Sequence, residues 1–443
     1  MNRLRFDGLD YPDGVASDPA ALGWMQGSPP PPERRIRFSD QRMLDFPQIR
    51  WVLSHLRELL PTVNVWRGNG PVRELALAPD TSSRQENFTR QDDIDELRFD
   101  SLDGRPCRWG QSLTDTYTDG ILVLHRGCLV YQRYFGALQP QLPHACFSIT
   151  KSYAATVAAT LLYEGILDEA RVVPYYLPEM AGTAYADATL RELLDMQVGV
   201  SHSERYADPT TQFWTYARAA GFFPQSPDAG SGAGAGSGAG AGAGAGAGLH
   251  QFLLTLRKDG AHGQVFNYKS VNTEVLCWVM QRATGVPLAE LLSQRLWSQL
   301  GCEEDAYISV DPLGVAMGGA GMAATLRDLA RFGELLRCDG ALERRQLIPA
   351  AVIADIRRGA DPGKFAKAGY ALLPGYSYRN MWWITHNEHG AFEARGIHGQ
   401  RLYIAPAAEM VVARFASHPI ASSAANDPIT MPALIALGRA LRS

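Results

Sequence analysis

The stretch His144-ACFSITKSYAATVAATLLYEGI-Leu167 holds Ser148 and Lys151 three residues apart at the head of an apolar, alanine-rich run. On a helix, residues at i and i+3 share a face, with Cβ atoms about 5–6 Å apart, so a lysine stem brings its amine to the serine hydroxyl. A serine at a helix N-terminus also sits where unpaired backbone N–H groups and the dipole stabilise a developing anion. To act as a base, Lys151 has to be neutral near pH 7, down from about 10.4. A shift of roughly three units costs about 4 kcal/mol, which burial can supply. The run that follows, Tyr153-AATVAATLL-Tyr163, is apolar on nearly every face, as in a helix enclosed by protein. The alternative is a serine N-cap followed by a solvated lysine, and the spacing alone does not separate the two.

The rest of the chain narrows the choice. Only five of its 42 basic residues are lysines (Lys151, Lys258, Lys269, Lys364, Lys367), and arginine carries the remainder. A lysine inside an Ala-rich stretch of such a chain is notable, because arginine cannot lose its proton in a protein and a desolvated lysine can. With 443 residues, 46% hydrophobic and 20% charged, the composition is that of a globular protein of two packed subdomains or one elaborated domain. A net charge of −4 with mixed signs gives no footprint for nucleic acid or an anionic membrane. The longest apolar run, Tyr153 to Tyr163, falls far short of a bilayer span. The opening MNRLRFDGLDYPDG has no apolar segment behind its basic residues, so the expected location is the cytoplasm.

Six cysteines (Cys107, Cys128, Cys146, Cys277, Cys302, Cys338) are scattered without a CxxC pair, so neither a disulfide framework nor a zinc site is expected. Cys146, two residues before Ser148, reads as a small core residue. The ten histidines show no HExxH spacing. The expectation is no metal and no cofactor.

Along the chain, residues 1–114 read as a wrapping N-terminal segment with a proline run at Pro29–Pro32 and a short helix at Gln48–Leu60. Gly120-ILVLH, the turn Arg126-Gly127 and Cys128-LVYQRYFG predict a β-hairpin. Helices are expected after Ser148, over Ala188-TLRELLDM, and at His250–Arg257, Val271–Arg282, Leu288–Leu300 and Ala324–Arg337. Strands return at Asn380-MWWIT, Arg401-LYIA and Met410-VVARFAS, with a last helix at Met431–Leu441. Strands at both ends with helices between them predict an α+β fold: one antiparallel sheet built from both ends of the chain, flanked by helices. The expected division is an α/β domain of 115–150 plus 320–443 and a helical domain of 151–319. The Gly/Ala-rich run 229–248 carries no side chain able to anchor a core and reads as a flexible loop.

A second element bears on Ser148. Val265-FNYKSVNTEVLCWV-Met280 opens another helix with Tyr268 just before it. A phenol near a neutral lysine can relay a proton between nucleophile and leaving group, although a lone tyrosine there is equally a packed core aromatic. Taken together, Ser148-ITK-Ser152, Leu193-LDMQVGVSHSERYAD-Pro209, Tyr268-KSVNTEV-Leu276, Thr325-LRDLARF-Gly333 and Gly396-IHG-Gln400 resemble the penicillin-recognising serine hydrolase superfamily over roughly residues 115–420. That superfamily includes class C β-lactamases, D-peptidases, family VIII carboxylesterases and 6-aminohexanoate-dimer hydrolases, and the last look most similar. The resemblance implies a β-lactamase-like fold, acylation of Ser148, and proton handling by Lys151 and Tyr268. It also implies that Tyr206 contacts the substrate or its leaving amine, and that the amides of Ile397 and Ser148 form the oxyanion hole. His398 beside that strand either touches substrate or holds a turn.

The departures are as informative. The KTG triad of the lactamases is absent, with Ala394-Arg395-Gly396 on that strand, and Ser270 stands where class C enzymes carry asparagine. Where the nylon-dimer enzymes place an aspartate for the substrate ammonium, an ungapped count reaches Ala217, and their substrate-side asparagine meets Gly319. The expected function is a serine hydrolase of small carboxylic esters, extending to linear amides such as 6-aminohexanoate oligomers. The alternatives are a true 6-aminohexanoate-dimer amidase and, from another class, an inactive peptide-binding sensor. The expected partner is a small-molecule substrate, with no nucleic acid or membrane; a homodimer stays open.

Overall fold

The computed structural model describes residues 3–6, 8–78, 91–224 and 248–442. The Gly/Ala-rich run lies outside the described residues except for Gly248. The predicted hairpin is β1 (Thr118–His125) and β2 (Cys128–Tyr134), paired antiparallel. Helices α1 (Ile149–Tyr163), α2 (Ser270–Thr284) and α3 (Leu326–Arg337) follow. Then come β3 (Ser377–Arg379), β4 (Trp382–Ile384), β5 (Phe392–Gly396), β6 (Gln400–Ala405) and β7 (Met410–Ala416), and finally α4 (Asp427–Arg442). The seven strands form one antiparallel sheet in the order β3-β4-β5-β6-β7-β1-β2. Segments from either side of the helical region thus build a single antiparallel sheet in an α+β fold.

The apolar run Gly120-ILVLH is continuous because the sheet is covered on both faces. Side chains alternate along a strand. Leu122 and Leu124 enter the large core with Val411, Leu402 and the α3 residues Leu329, Phe332 and Leu336. Ile121 and Val123 enter a second core with Val412, Tyr403 and the α4 residues Leu434 and Leu437. Each such side chain, fully buried, contributes about 1.5–3 kcal/mol.

A smaller four-stranded sheet carries the turn that leads into α1. Its strands are Thr62–Val65, Ala306–Ser309, Met322–Ala324 and His144–Ala145, in that order. The N-terminal segment is tied to the main sheet by Arg50, which reaches Asp119 at 3.3 Å, Ser417 Oγ at 3.2 Å and Ser17 Oγ at 2.9 Å. No helix among the described residues is long and apolar enough to cross a membrane.

Several predicted helices are shorter than expected: that at 250–257 is Gly248–Leu253, and that at 288–300 is Leu288–Arg295. Over 48–60 only Ile49–Val52 is α-helical, because His55 leaves the helical range at φ −132°. Over 188–196 the helix is Leu190–Leu194, opened by a capping box between Thr189 and Glu192. It stops at Asp195, whose carboxylate is held by Arg191 at 2.8 Å and Arg379 at 2.9 Å, and Met196 is left-handed (φ 53°).

Candidate active site

The chain enters α1 through a sharp turn. Cys146 is anchored by its amide to Met322 O (2.9 Å), and Phe147 is left-handed at φ 44°. Such a backbone is strained for a bulky side chain. Ser148 follows at φ −68°, and its side chain makes no capping hydrogen bond. Neighbouring hydroxyls are committed to structure: Thr150 donates to Phe147 O at 2.6 Å and Ser152 to Met381 O at 2.7 Å. Ser148 Oγ instead accepts from Lys151 Nζ at 2.8 Å. The geometry is that of a hydroxyl facing an amine, not of a serine N-cap with a solvated lysine.

Lys151 is 1% exposed. Its amine also donates to Gly319 O at 2.6 Å. Burial pulls its pKa down to about 8, against the opposing pull of Glu204 and Glu274. The lowered pKa raises the share of neutral amine at pH 7. Tyr268 stands just before α2, with Lys151 Nζ 5.1 Å from the centre of its ring. Burial raises the phenol's pKa well above the ordinary tyrosine value, although a hydrogen bond with Ser148 pulls the other way. Tyr268 is therefore a protonated phenol at neutral pH, able to pass a proton but not to start as a phenolate base.

Ser148 opens onto a cleft of about 370 Å³ lined by Tyr206, Tyr268, Tyr370, Trp383 and Ile397 among others. β5 ends there. A Cβ on Gly396 would lie 2.6 Å from Cys146 O, so only glycine lets the strand approach the turn before the nucleophile this closely. Ile397 follows on the cleft wall, and His398 is left-handed at φ 61°. The Ser148 amide donates to no acceptor among the described residues.

The structure thus brings Ser148, Lys151, Tyr268, Tyr206 and Ile397 together. Tyr206 lines the cleft with its hydroxyl 3.3 Å from Glu204 Oε2. His398 is not among the cleft residues, and of the two roles left open for it the geometry fits the turn. It is buried, its Nδ1 lies 2.7 Å from His418 O, and burial pushes its pKa down to about 4, so it is a neutral turn residue. Of the tryptophan pair, Trp382 is fully buried and bonded to Thr156 Oγ1 at 3.2 Å, whereas Trp383 faces the cleft. Cys146 is a buried thiol whose pKa burial raises strongly.

Two positions singled out as departures have physical explanations. Ala217 is buried and borders a small apolar cavity of about 30 Å³ beside Ser148, with Phe147, Phe213 and Phe222. At Gly319 a Cβ would lie 2.6 Å from Glu274 Oε1 and 2.8 Å from Tyr216 Oη, so a side chain there would displace the ends of both. Sequence reasoning missed Glu274, Glu204 and Arg395. Glu274 was traceable by the argument used for Lys151, since it is the one acidic residue in the apolar helix Ser270–Thr284.

Comparison with known proteins agrees with this architecture. The Beta-lactamase family model matches residues 112–431. The 6-aminohexanoate-dimer hydrolase of Paenarthrobacter ureafaciens is 30% identical over 410 residues, 92% of this chain and 91% of that protein. A solved structure from Bacillus anthracis, described as a candidate 6-aminohexanoate-dimer hydrolase, superposes with a TM-score of 0.77 at 29% identity, covering 91% of this chain and 97% of that one. A family VIII carboxylesterase shares the fold at a TM-score of 0.56 and 16% identity, covering 83% and 99% of the two chains. With the matched region running from before β1 into α4 and taking in the whole sheet and the Ser148 turn, the chain belongs to the beta-lactamase family of serine hydrolases.

Proposed function

We propose that this protein hydrolyses small carboxylic esters, and linear amides less readily, through an acyl-enzyme on Ser148. The observation that carries this reading is the buried Lys151 amine 2.8 Å from Ser148 Oγ. Neutral Lys151 takes the Ser148 proton as Oγ attacks the substrate carbonyl. The oxyanion forms between the amides of Ser148 and Ile397, whose donors are fixed before the reaction. Tyr268 gives its phenolic proton to the leaving oxygen or nitrogen and is refilled from Lys151. Water then attacks the acyl carbonyl, giving one proton to the lysine and returning Ser148 by the same steps in reverse.

Esters are favoured because, among the described residues, the cavity beside Ser148 is lined by no charged side chain for an acyl terminus. The cavity at Ala217 is walled by aromatic rings, and a carboxylate or ammonium there would be desolvated without a partner. Arg395, the cation on the cleft wall, is already held by Asp427 and Glu393. A second reading, hydrolysis of the linear 6-aminohexanoate dimer, is favoured by the 30% identical relative of that name. The test is p-nitrophenyl acetate followed for an acyl burst, with mass spectrometry of the trapped intermediate and the linear dimer as competitor. A burst lost in Ser148→Ala supports the hydrolase; a folded wild-type protein with no acylation sinks it. Faster turnover of the dimer than of the ester would overturn the preference for esters.

A further inference from the structure

Glu274 is 2% exposed and lies on α2 among the buried residues Val271, Val275, Leu276 and Cys277. A buried carboxylate requires compensation, and here the compensation comes from one short stretch of backbone. Oε2 accepts from the Gly318 amide at 2.9 Å, and Oε1 from the Gly319 amide at 2.8 Å and the Tyr216 hydroxyl at 2.5 Å. Burial raises the carboxyl's pKa, while these hydrogen bonds and the Lys151 charge hold it back. The carbonyl of Gly319 is in turn the 2.6 Å acceptor for Lys151 Nζ. One glycine therefore joins the carboxylate to the amine, donating to the first and accepting from the second. The absent side chain at Gly319 is a condition of this junction, because a Cβ would strike both Glu274 Oε1 (2.6 Å) and Tyr216 Oη (2.8 Å).

Resting on the reading of Ser148 and Lys151 as nucleophile and base, we propose that Glu274 is a positioning residue for the lysine. It aims the Gly319 carbonyl at Nζ and, in its ionised form, supplies the negative charge that stabilises the ammonium formed when Ser148 loses its proton. The proton passes from Ser148 Oγ to Nζ and onward to the leaving group, and Glu274 neither gains nor loses it. The other groups around the pair are accounted for. Glu204 faces Lys151 from the 201–211 loop but is held by the Ser270 amide and hydroxyl and by Tyr206. His202 lies 3.7 Å from Glu204 and is kept neutral by burial. Cys277 and the phenols of Tyr185, Tyr206, Tyr216 and Tyr268 are held protonated by burial.

Charge at Glu274 opposes the downward pull of burial on Lys151. Glu274→Gln therefore lowers the lysine's pKa, and the rising limb of the pH profile for acylation moves to lower pH. A shift of about one pH unit is expected, with a plateau about 10–100-fold lower because the base is weaker. Glu274→Asp keeps the charge and should keep the limb in place. The measurement is the burst rate with p-nitrophenyl acetate from pH 5 to 10 on the full chain, folding being checked by circular dichroism. A folded Glu274→Gln with a lower rate but an unmoved limb would reduce Glu274 to a packing role and overturn the proposal. If that variant does not fold, Tyr216→Phe decides. It removes the hydrogen bond that helps keep Glu274 ionised, so the limb must move the same way by a smaller step; an unmoved limb overturns the proposal. The wild-type burst is read first: without acylation at Ser148 the hydrolase reading itself has failed, whereas a normal burst with an unmoved limb faults Glu274 alone.

Discussion

Gly396 and Cys146 meet backbone to backbone, so closely that a Cβ on the glycine would sit 2.6 Å from the Cys146 carbonyl oxygen. This contact sets the spacing between the end of β5 and the turn that presents Ser148. Gly396→Ala should push the strand away and separate the amides of Ile397 and Ser148. The expected result is a fall of about 10²–10³-fold in kcat for p-nitrophenyl acetate, the cost of a misplaced oxyanion donor, with KM little changed. Steady-state kinetics on the folded variant checks it, and an unchanged kcat would remove Ile397 from the oxyanion assignment.

Two of the cleft tyrosines, Tyr268 and Tyr206, should respond differently. Tyr268 lines the cleft with Ser148 and has Lys151 Nζ 5.1 Å from its ring centre, whereas the Tyr206 hydroxyl is bonded to Glu204, at 3.3 Å. Tyr268→Phe should therefore lower kcat by about 10²-fold or more, the range for losing a positioned acid. Tyr206→Phe should change kcat less than about tenfold and act mainly on KM. Equal losses in kcat would mean that Tyr206 also moves a proton.

How much of this was legible beforehand depended on how local the signal was. The hairpin at Arg126-Gly127 and the Ser148–Lys151 face were written in adjacent residues, and both are where the sequence suggested. The pairing of Thr62–Val65 with Ala306–Ser309 had no such signal, because the partners are far apart in the chain and each strand has only four residues. β5 was hidden from pattern reading by the polarity of its centre: Glu393 and Arg395 break the apolar alternation yet are buried, paired with Arg401 and Asp427. Glu274 is the one acidic residue of its apolar helix, but its role needed its partner, the Gly318–Gly319 backbone, which lies 44 and 45 residues away in the chain.

The depressed pKa of Lys151 has a consequence for stability as well as for catalysis. A lysine whose folded-state pKa lies near 8, against about 10.4 unfolded, binds fewer protons folded than unfolded between those values. Stability contributed by this group therefore rises with pH across that window, and is lowest where both states are charged. Lys151→Met removes the titration while keeping the side chain's length. In urea melts from pH 7 to 10.5, the difference in unfolding free energy between wild type and Lys151→Met should shift towards the wild type as pH rises. The same variant should show no acyl burst. A pH-independent difference would mean that the amine titrates normally in the fold.

Ala217 offers the sharpest test of substrate class. Its methyl group borders a cavity of about 30 Å³ between Phe147, Phe213 and Phe222, whose lining shares Ser148, Tyr206 and Ile397 with the cleft. Ala217→Asp places a carboxylate there with no cation to meet it. Without substrate the buried charge should lower the melting temperature by several degrees. A substrate carrying an ammonium on its acyl chain would supply the missing partner, because an opposite charge in a dry pocket favours the ionised carboxylate. The variant should accordingly lose activity on p-nitrophenyl acetate while its KM for the linear 6-aminohexanoate dimer falls, and the dimer should restore part of the lost melting temperature. If the dimer neither binds more tightly nor protects the fold, the cavity does not receive the ammonium end of the acyl chain.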